Sequence, residues 1–299
     1  MPEGSYFGGK GAAGTYQRLI NEIPPHGIYV ECCLGFGSIL RKKRPAAKSH
    51  GIELDAETLA EWRGDEVPGL TLHQADAIEW LRHFFGLTTW PAPAPRTPAE
   101  QLAAAAAVFG GVVPFVFADP PYPHSTRRAD RYRFEFSDDQ HRRLLTVLRT
   151  VPAQVMVTSY PNELYAEVLH DWRTFTFQNL TRGGIVTEQA WCNYAEPVEL
   201  HDTRYIGSNK RQRERIHRRR RNWRQSIERM GPQERQALAE EVAAASAKSA
   251  ARNPAFRLLW QAGNAYAWQC GYCGKLPNRL DVPFCPGCLR DARPAQGAP

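Results

Sequence analysis

Short apolar runs recur along the first two thirds of the chain, and stretches with helical spacing separate most of them. Residues 28–33, 48–54, 71–75, 112–118 and 154–159 have the length and composition of buried strands. Residues 14–23, 56–63, 80–85, 138–149 and 161–170 place their apolar side chains three and four apart, as one face of a helix does. Such an alternation predicts an α/β domain with a parallel sheet and crossover helices. Residues 86–111 break the rhythm: Pro91, Pro93, Pro95 and Pro98 predict a surface loop, and an alanine run (103–107) predicts a helix after it. Pro114 cannot donate to a ladder, so pairing in the fourth strand starts just after it. Residues 175–180 and 187–193 read as a closing pair of strands.

The 299 residues are 42% hydrophobic and 11% aromatic, enough to bury a substantial core. No apolar run reaches the ~18 residues of a membrane span, and the first residues carry no basic or apolar leader, which together point to the cytoplasm. The net charge of +7 is concentrated. Residues 209–224 hold nine basic side chains against Glu214 alone, leaving the rest of the chain at −1. One basic element on a near-neutral body fits a polyanion-binding attachment. The reading divides the chain into a main domain (1–200), a basic helical hairpin (201–250), a cysteine module (251–290) and a Pro/Ala/Gly-rich tail (291–299) expected to be disordered.

Two motifs carry chemistry. Glu31-Cys32-Cys33-Leu34-Gly35-Phe36-Gly37-Ser38 follows the first strand, where glycines let the chain turn and a ligand approach closely. An ordinary strand-to-helix turn also contains such glycines, but Glu53 and Asp76 at the next two strand ends reinforce a ligand site. An acid at the first of these positions accepts hydrogen bonds from ribose hydroxyls, and one at the second is placed to reach an adenine. The second motif is Asp119-Pro120-Pro121-Tyr122, after the fourth strand. Two prolines stiffen the chain and hold a carboxylate beside a rigid carbonyl and an aromatic ring. Asp119 and the Pro120 carbonyl suit the two hydrogens of a planar amine, and Tyr122 suits stacking on its ring.

These stretches resemble the Dam-like adenine-specific DNA methyltransferases, in the compact form found in phages and mobile elements. Tyr6-Phe7-Gly8-Gly9-Lys10 is similar to that family's N-terminal cofactor motif, Glu31 to Ser38 to its glycine loop, and Asp119 to Tyr122 to its catalytic tetrapeptide. Ser125, Thr126, Arg127, Tyr132, Glu135, His141 and the run from Thr187 to Asn193 resemble the flanking pattern. The likeness covers about residues 5–195. It implies a Rossmann-like class I methyltransferase fold, S-adenosylmethionine as donor and a flipped adenine in double-stranded DNA as acceptor, in a restriction-modification or regulatory setting. It also implies Tyr6 and Lys10 near the cofactor, Glu31, Gly35, Gly37 and Ser38 around its methionine part, Glu53 on its ribose, Asp76 on its adenine, and Asp119, Pro120, Pro121 and Tyr122 on the target base. Two departures stand out. Cys32 and Cys33 replace the proline and apolar residue of many relatives, and the short interval from Asp76 to Asp119 leaves sequence reading to be done elsewhere.

The basic run is expected to form a helix over residues 208–229 and to pair with an amphipathic helix over 232–247. Arg218, Arg219, Arg220 and Arg221 cover every face of a helix, which suits phosphate contact better than one packed stripe. Trp223 and Tyr205 suit either base contact or anchoring on the body. Arg127, Arg128, Arg131 and Arg133, just past the tetrapeptide, are placed to clamp a backbone around a flipped base. Cys270, Cys273, Cys285 and Cys288 have the spacing C-x2-C-x11-C-x2-C of two knuckles completing a tetrahedral Zn2+ site, a structural staple. Competing readings keep the chemistry with RNA adenine or the cytosine amine as substrate, or make the chain a zinc-ribbon nucleic-acid-binding protein with an inactive methyltransferase domain.

Overall fold

The computed structural model describes residues 9–62, 67–87, 94, 96–109, 113–127, 133–181 and 184–252. In chain order these form α1 (Thr15–Ile20), β1 (Ile28–Cys32), α2 (Ser38–Lys42), β2 (Lys48–Glu53), α3 (Ala56–Ala60), β3 (Leu70–Gln74), α4 (Ala77–Phe84), α5 (Pro98–Phe109), β4 (Phe115–Ala118), α6 (Asp138–Leu148), β5 (Gln154–Ser159), α7 (Glu163–Val168), β6 (Arg173–Thr181), β7 (Gly184–Cys192), α8 (Lys210–Arg229) and α9 (Pro232–Arg252). Local chemistry marks several helix starts. Asp55, Asp76, Ser137 and Asn162 each cap a first turn by accepting a backbone N–H, and Ser137 and Gln140 form a reciprocal capping box.

The strands make one seven-stranded sheet in the order β3-β2-β1-β4-β5-β7-β6. Neighbours from β3 through β5 are parallel, and β7 runs antiparallel to both β5 and β6. This is the Rossmann-like α/β sheet of the expected fold class, closed by an antiparallel hairpin. Alternation within the strands divides the core between its two faces. Val30, Cys32, Val116, Ala118, Val155 and Val157 pack with α4, α6 and α7. Tyr29, Phe115, Phe117 and Met156 pack with α1 and α2. Strands buried on both faces are what a covered parallel sheet requires.

Pro114 lies just before the paired run of β4, and the alanine run lies within α5. The two helices after residue 209 differ from a packed hairpin. No side chain of α8 is buried, and the side chains of α9 over residues 232–246 are exposed or half-exposed. Arg220 Nη1 donates to the Thr203 carbonyl at 3.0 Å, and Ile206, Ile216 and Trp223 line the groove there. A helix averaging one basic residue in every two positions has no apolar stripe wide enough to bury. Among the described residues no helix is long and apolar enough to cross a membrane.

Candidate active site

The chain leaves β1 to one side of the sheet, builds β2 and β3, and returns across it to β4, so the carboxyl ends of β1 and β4 form the topological switch point where open α/β sheets bind ligands. A cleft of about 940 Å3, its open mouth included, lies there. The loop from Cys33 to Ser38 lines one side, Glu53 and Asp76 the rim, and Asp119 and Pro121 the far wall. The loop is tightly wound. Cys33, Gly35 and Gly37 all take left-handed conformations (φ 55°, 48° and 55°), and Cys33 does so without glycine's freedom. At Gly37 a Cβ would lie 2.4 Å from the Trp62 ring, so glycine is required twice over. Trp62 in turn donates its indole N–H to the Gly35 carbonyl at 2.9 Å.

The three strand-end acids act partly as scaffolding. Glu53 Oε2 accepts from Gly35 N at 2.8 Å, and its Oε1 accepts from Leu54 N and Asp55 N at 2.9 and 3.0 Å. A carboxylate has about four acceptor positions, so Oε2 keeps capacity toward the cleft. Asp76 spends Oδ1 on the first turn of α4, receiving Ile78 N and Glu79 N at 2.9 and 3.0 Å. Glu31 lies deeper, 3% exposed, and holds the Tyr29 hydroxyl at 2.7 Å and Leu40 N at 3.0 Å on one oxygen. Burial pushes its carboxyl up to about 7, against the hydrogen bond from Tyr29. Its place is beneath the glycine loop, tying β1 to α2.

On the opposite wall Asp119 ends β4 within a buried polar network. Lys10 Nζ, 3% exposed as a residue, contacts both oxygens of Asp119 at 2.8 and 2.7 Å. Thr158 on β5 donates to Oδ1 at 2.7 Å. Burial raises the Asp119 carboxyl above the ordinary carboxylate range; Lys10 opposes this and the nearby Glu188 adds to it. The Tyr122 hydroxyl donates to Glu188 Oε2 at 2.5 Å and lies 3.3 Å from Asp119 Oδ1. Its ring, 2% exposed as a residue, meets Tyr160 edge-on with centroids 4.7 Å apart, and Lys10 Nζ lies 5.1 Å from its centroid. Lys10, read from the sequence as a cofactor neighbour, thus lines the cleft but places its charge on the tetrapeptide.

Glu188 and Thr158 are the residues whose roles the sequence reading missed. Glu188 lies inside the run from Thr187 to Asn193, a resemblance that carries no role for any one side chain. The arginines separate by environment. Arg127 gives a fork of bonds to Glu135 (2.9 and 2.5 Å) and donates to the Tyr122 carbonyl at 2.7 Å, with its side chain 5% exposed, so it braces the turn after the tetrapeptide. Arg133 reaches Asp55 and Glu57 at 3.1 and 2.6 Å beside the cleft. Arg218, Arg219 and Arg221 are exposed on α8. Tyr205 stays with the body, donating its hydroxyl to the Lys42 carbonyl at 3.1 Å and meeting Tyr16 edge-on. Tyr6, Arg128, Arg131 and Tyr132 lie outside the described residues, as do Cys270, Cys273, Cys285 and Cys288. Among the described residues no group of three or more His, Cys, Asp or Glu side chains is arranged to hold a metal ion.

No family model and no curated protein matches the chain. Among solved structures it is similar to an rRNA methylase from Streptococcus thermophilus (12% identity, 59% of this chain and 92% of that one, TM-score 0.32). It is also similar to the 23S rRNA methyltransferase ErmE (12%, 64% and 70%, TM-score 0.33) and to magnesium protoporphyrin IX methyltransferase from Synechocystis PCC 6803 with bound SAM (9%, 60% and 75%, TM-score 0.35). At these scores the likenesses add nothing to the fold that the strand order already establishes.

Proposed function

We propose that the chain is an S-adenosylmethionine-dependent methyltransferase that modifies the N6 amino group of an adenine flipped out of DNA. One observation carries the reading: a half-buried carboxylate, Asp119, faces the same cleft as the glycine loop and sits within hydrogen-bond reach of an aromatic hydroxyl. The cleft fits a nucleoside sulfonium. Its lining combines apolar side chains with a few placed polar groups, as small-molecule sites do, its loop lets a ligand lie against backbone at Gly35 and Gly37, and its rim carries acids with acceptor capacity. In this reading Gly35, Gly37 and Ser38 surround the methionine portion, Glu53 takes the ribose hydroxyls and Asp76 the adenine.

S-adenosylmethionine, when bound, supplies an electrophilic methyl carbon on a positively charged sulfur. The chain's part is to present an amine to it. Asp119 and the Pro120 carbonyl accept the two N6 hydrogens, which draws the nitrogen lone pair out of conjugation with the ring. Tyr122, expected from the sequence to stack on the base, is buried outside the cleft lining and instead holds the corner from behind through Glu188 and Tyr160, while Thr158 fixes the Asp119 carboxylate. Asp119 must be ionised to accept, and with its side chain only 19% exposed a seated base would displace the water that competes for it. We further assign the exposed arginines of α8 to DNA phosphates and one Zn2+ to Cys270, Cys273, Cys285 and Cys288, the latter from spacing alone.

Purified protein incubated with labelled methyl donor and DNA of mixed sequence is expected to modify adenine N6, located by mapping the label. Asp119→Ala is expected to abolish transfer while leaving donor binding in place. Transfer to RNA at an equal rate would move the substrate class, and an active Asp119→Ala protein would remove the catalytic assignment. Metal analysis is expected to find one zinc per chain.

A further inference from the structure

The free protein holds an ammonium where the target amine has to go. Lys10 Nζ contacts both Asp119 oxygens at 2.8 and 2.7 Å, the acceptors an incoming N6 amine needs. Lys10 is almost fully buried, and a buried ammonium deprived of its counter-ion is strongly destabilising. Base entry therefore requires a second acceptor for this charge within a short movement.

Glu188 has that geometry. Its Oε2 lies 3.3 Å from Lys10 Nζ, so a shift of about half an ångström brings the pair to charge-assisted hydrogen-bond distance. It is also held rigidly. Glu188 sits on β7 opposite Phe177 of β6. Asn179 donates to its Oε1 at 2.8 Å, and the Tyr122 hydroxyl donates to its Oε2 at 2.5 Å. Among the described residues the charged groups facing it are Lys10 and, across Lys10, Asp119. Lys10 thus lies between two carboxylates, of which the tetrapeptide chemistry alone needs one.

Building on the adenine reading above, we propose that Glu188 is a positioning residue that receives the Lys10 ammonium when the target amine displaces it from Asp119. Lys10 stays paired and buried throughout, and Asp119 becomes free to accept. An ion pair that merely staples β7 to the N-terminal segment would make the same contacts but would not distinguish a base with an amine from one without.

That difference is the test. In the sequence context mapped for the wild type, donor-free protein is titrated by fluorescence anisotropy with duplexes carrying adenine or, at the same position, purine lacking the 6-amino group. Glu188→Gln is expected to weaken the adenine duplex about 10-fold and leave the purine duplex within about 2-fold. It is expected to slow single-turnover transfer by about 100-fold, the order that positioned acid–base groups contribute. The acid limb of its pH profile should move to lower pH, because one of the charges raising Asp119 is gone. Glu188→Asp should recover part of the rate. In a Lys10→Met background, where no ammonium needs a second site, Glu188→Gln should add no adenine-specific loss. Equal weakening of both duplexes, or wild-type rate and pH profile in Glu188→Gln, overturns the proposal while wild-type activity keeps the adenine reading. A wild type that methylates no adenine overturns both. Should Glu188→Gln fail to fold, the comparison of Glu188→Asp with Lys10→Met on the same duplex pair decides in its place.

Discussion

Asp119 carries the tightest link between residue chemistry and activity. Its carboxyl is raised by burial first, with Lys10 pulling the other way. In the proposed chemistry the ionised form accepts the amine hydrogens, so transfer should fall as pH drops, starting at a pH above the ordinary carboxylate range. A single-turnover pH profile checks this, and an acid limb at an ordinary aspartate value would count against it. Asp119→Asn keeps the shape and removes the charge, and should cost about 10²–10⁴ in rate. Glu31 makes a separate prediction about stability. Its folded value of about 7 lies above the ordinary 4.5, so the stability it contributes is present at low pH and is lost as pH rises through about 7. Lys43, pulled down to about 7 by burial, gives the opposite slope on the alkaline side. Glu31→Gln should therefore flatten the pH dependence of the unfolding free energy between about pH 4.5 and 7, by an amount on the order of 3 kcal/mol over that window, read from denaturant melts. An unchanged slope would show that Glu31 is not the group titrating. Asp119 was legible in the sequence because its tetrapeptide is unusual. Glu188 was not, because an acid in an alternating strand has no local signature. Its role comes from the register that sets it opposite Phe177 and near Lys10, 178 positions earlier in the chain.

At the scale of elements, the strand ends were readable from apolar runs punctuated by glycine and acid, and the structure places Glu53, Asp76 and Asp119 at three of them. The detailed winding of the loop between β1 and α2 was not, since Cys33 enters the left-handed region without glycine's signature and Trp62 reaches in from beyond α3. That loop is also where substitution is least tolerated. Gly37→Ala would put a methyl 2.4 Å from the Trp62 ring at a φ of 55°, so either the indole leaves the Gly35 carbonyl or the turn opens. A cost of about 1–3 kcal/mol is expected, together with loss of donor binding out of proportion to the stability change, because the loop itself forms one side of the cleft. Calorimetric titration with the donor or its demethylated product, beside thermal melts, separates the two effects. Donor affinity unchanged in a destabilised protein would place the ligand away from this loop.

Across the whole molecule, the basic charge is segregated from the sheet that carries the candidate site. The Rossmann-like body is near neutral, whereas α8, with ten basic side chains against Glu214 and Glu228, carries the chain's net positive excess on side chains that bury nothing. Attraction to a polyanion and precision at the reacting atoms are then supplied by different elements, so they should separate experimentally. Arg220 is best left in place because it bonds to the Thr203 carbonyl. Replacing Arg218, Arg219 and Arg221 together by alanine should leave the thermal midpoint and donor affinity nearly unchanged, as exposed substitutions do. DNA affinity should fall, and the slope of log K against log salt should flatten by about 0.9 for each phosphate that is no longer neutralised, up to about 3 for the triple variant. At saturating DNA the single-turnover rate should recover toward wild type, because Asp119 and its partners are untouched. If the slope stays the same while the rate falls, α8 is not the phosphate-binding element, and the charge that draws in nucleic acid lies elsewhere in the chain.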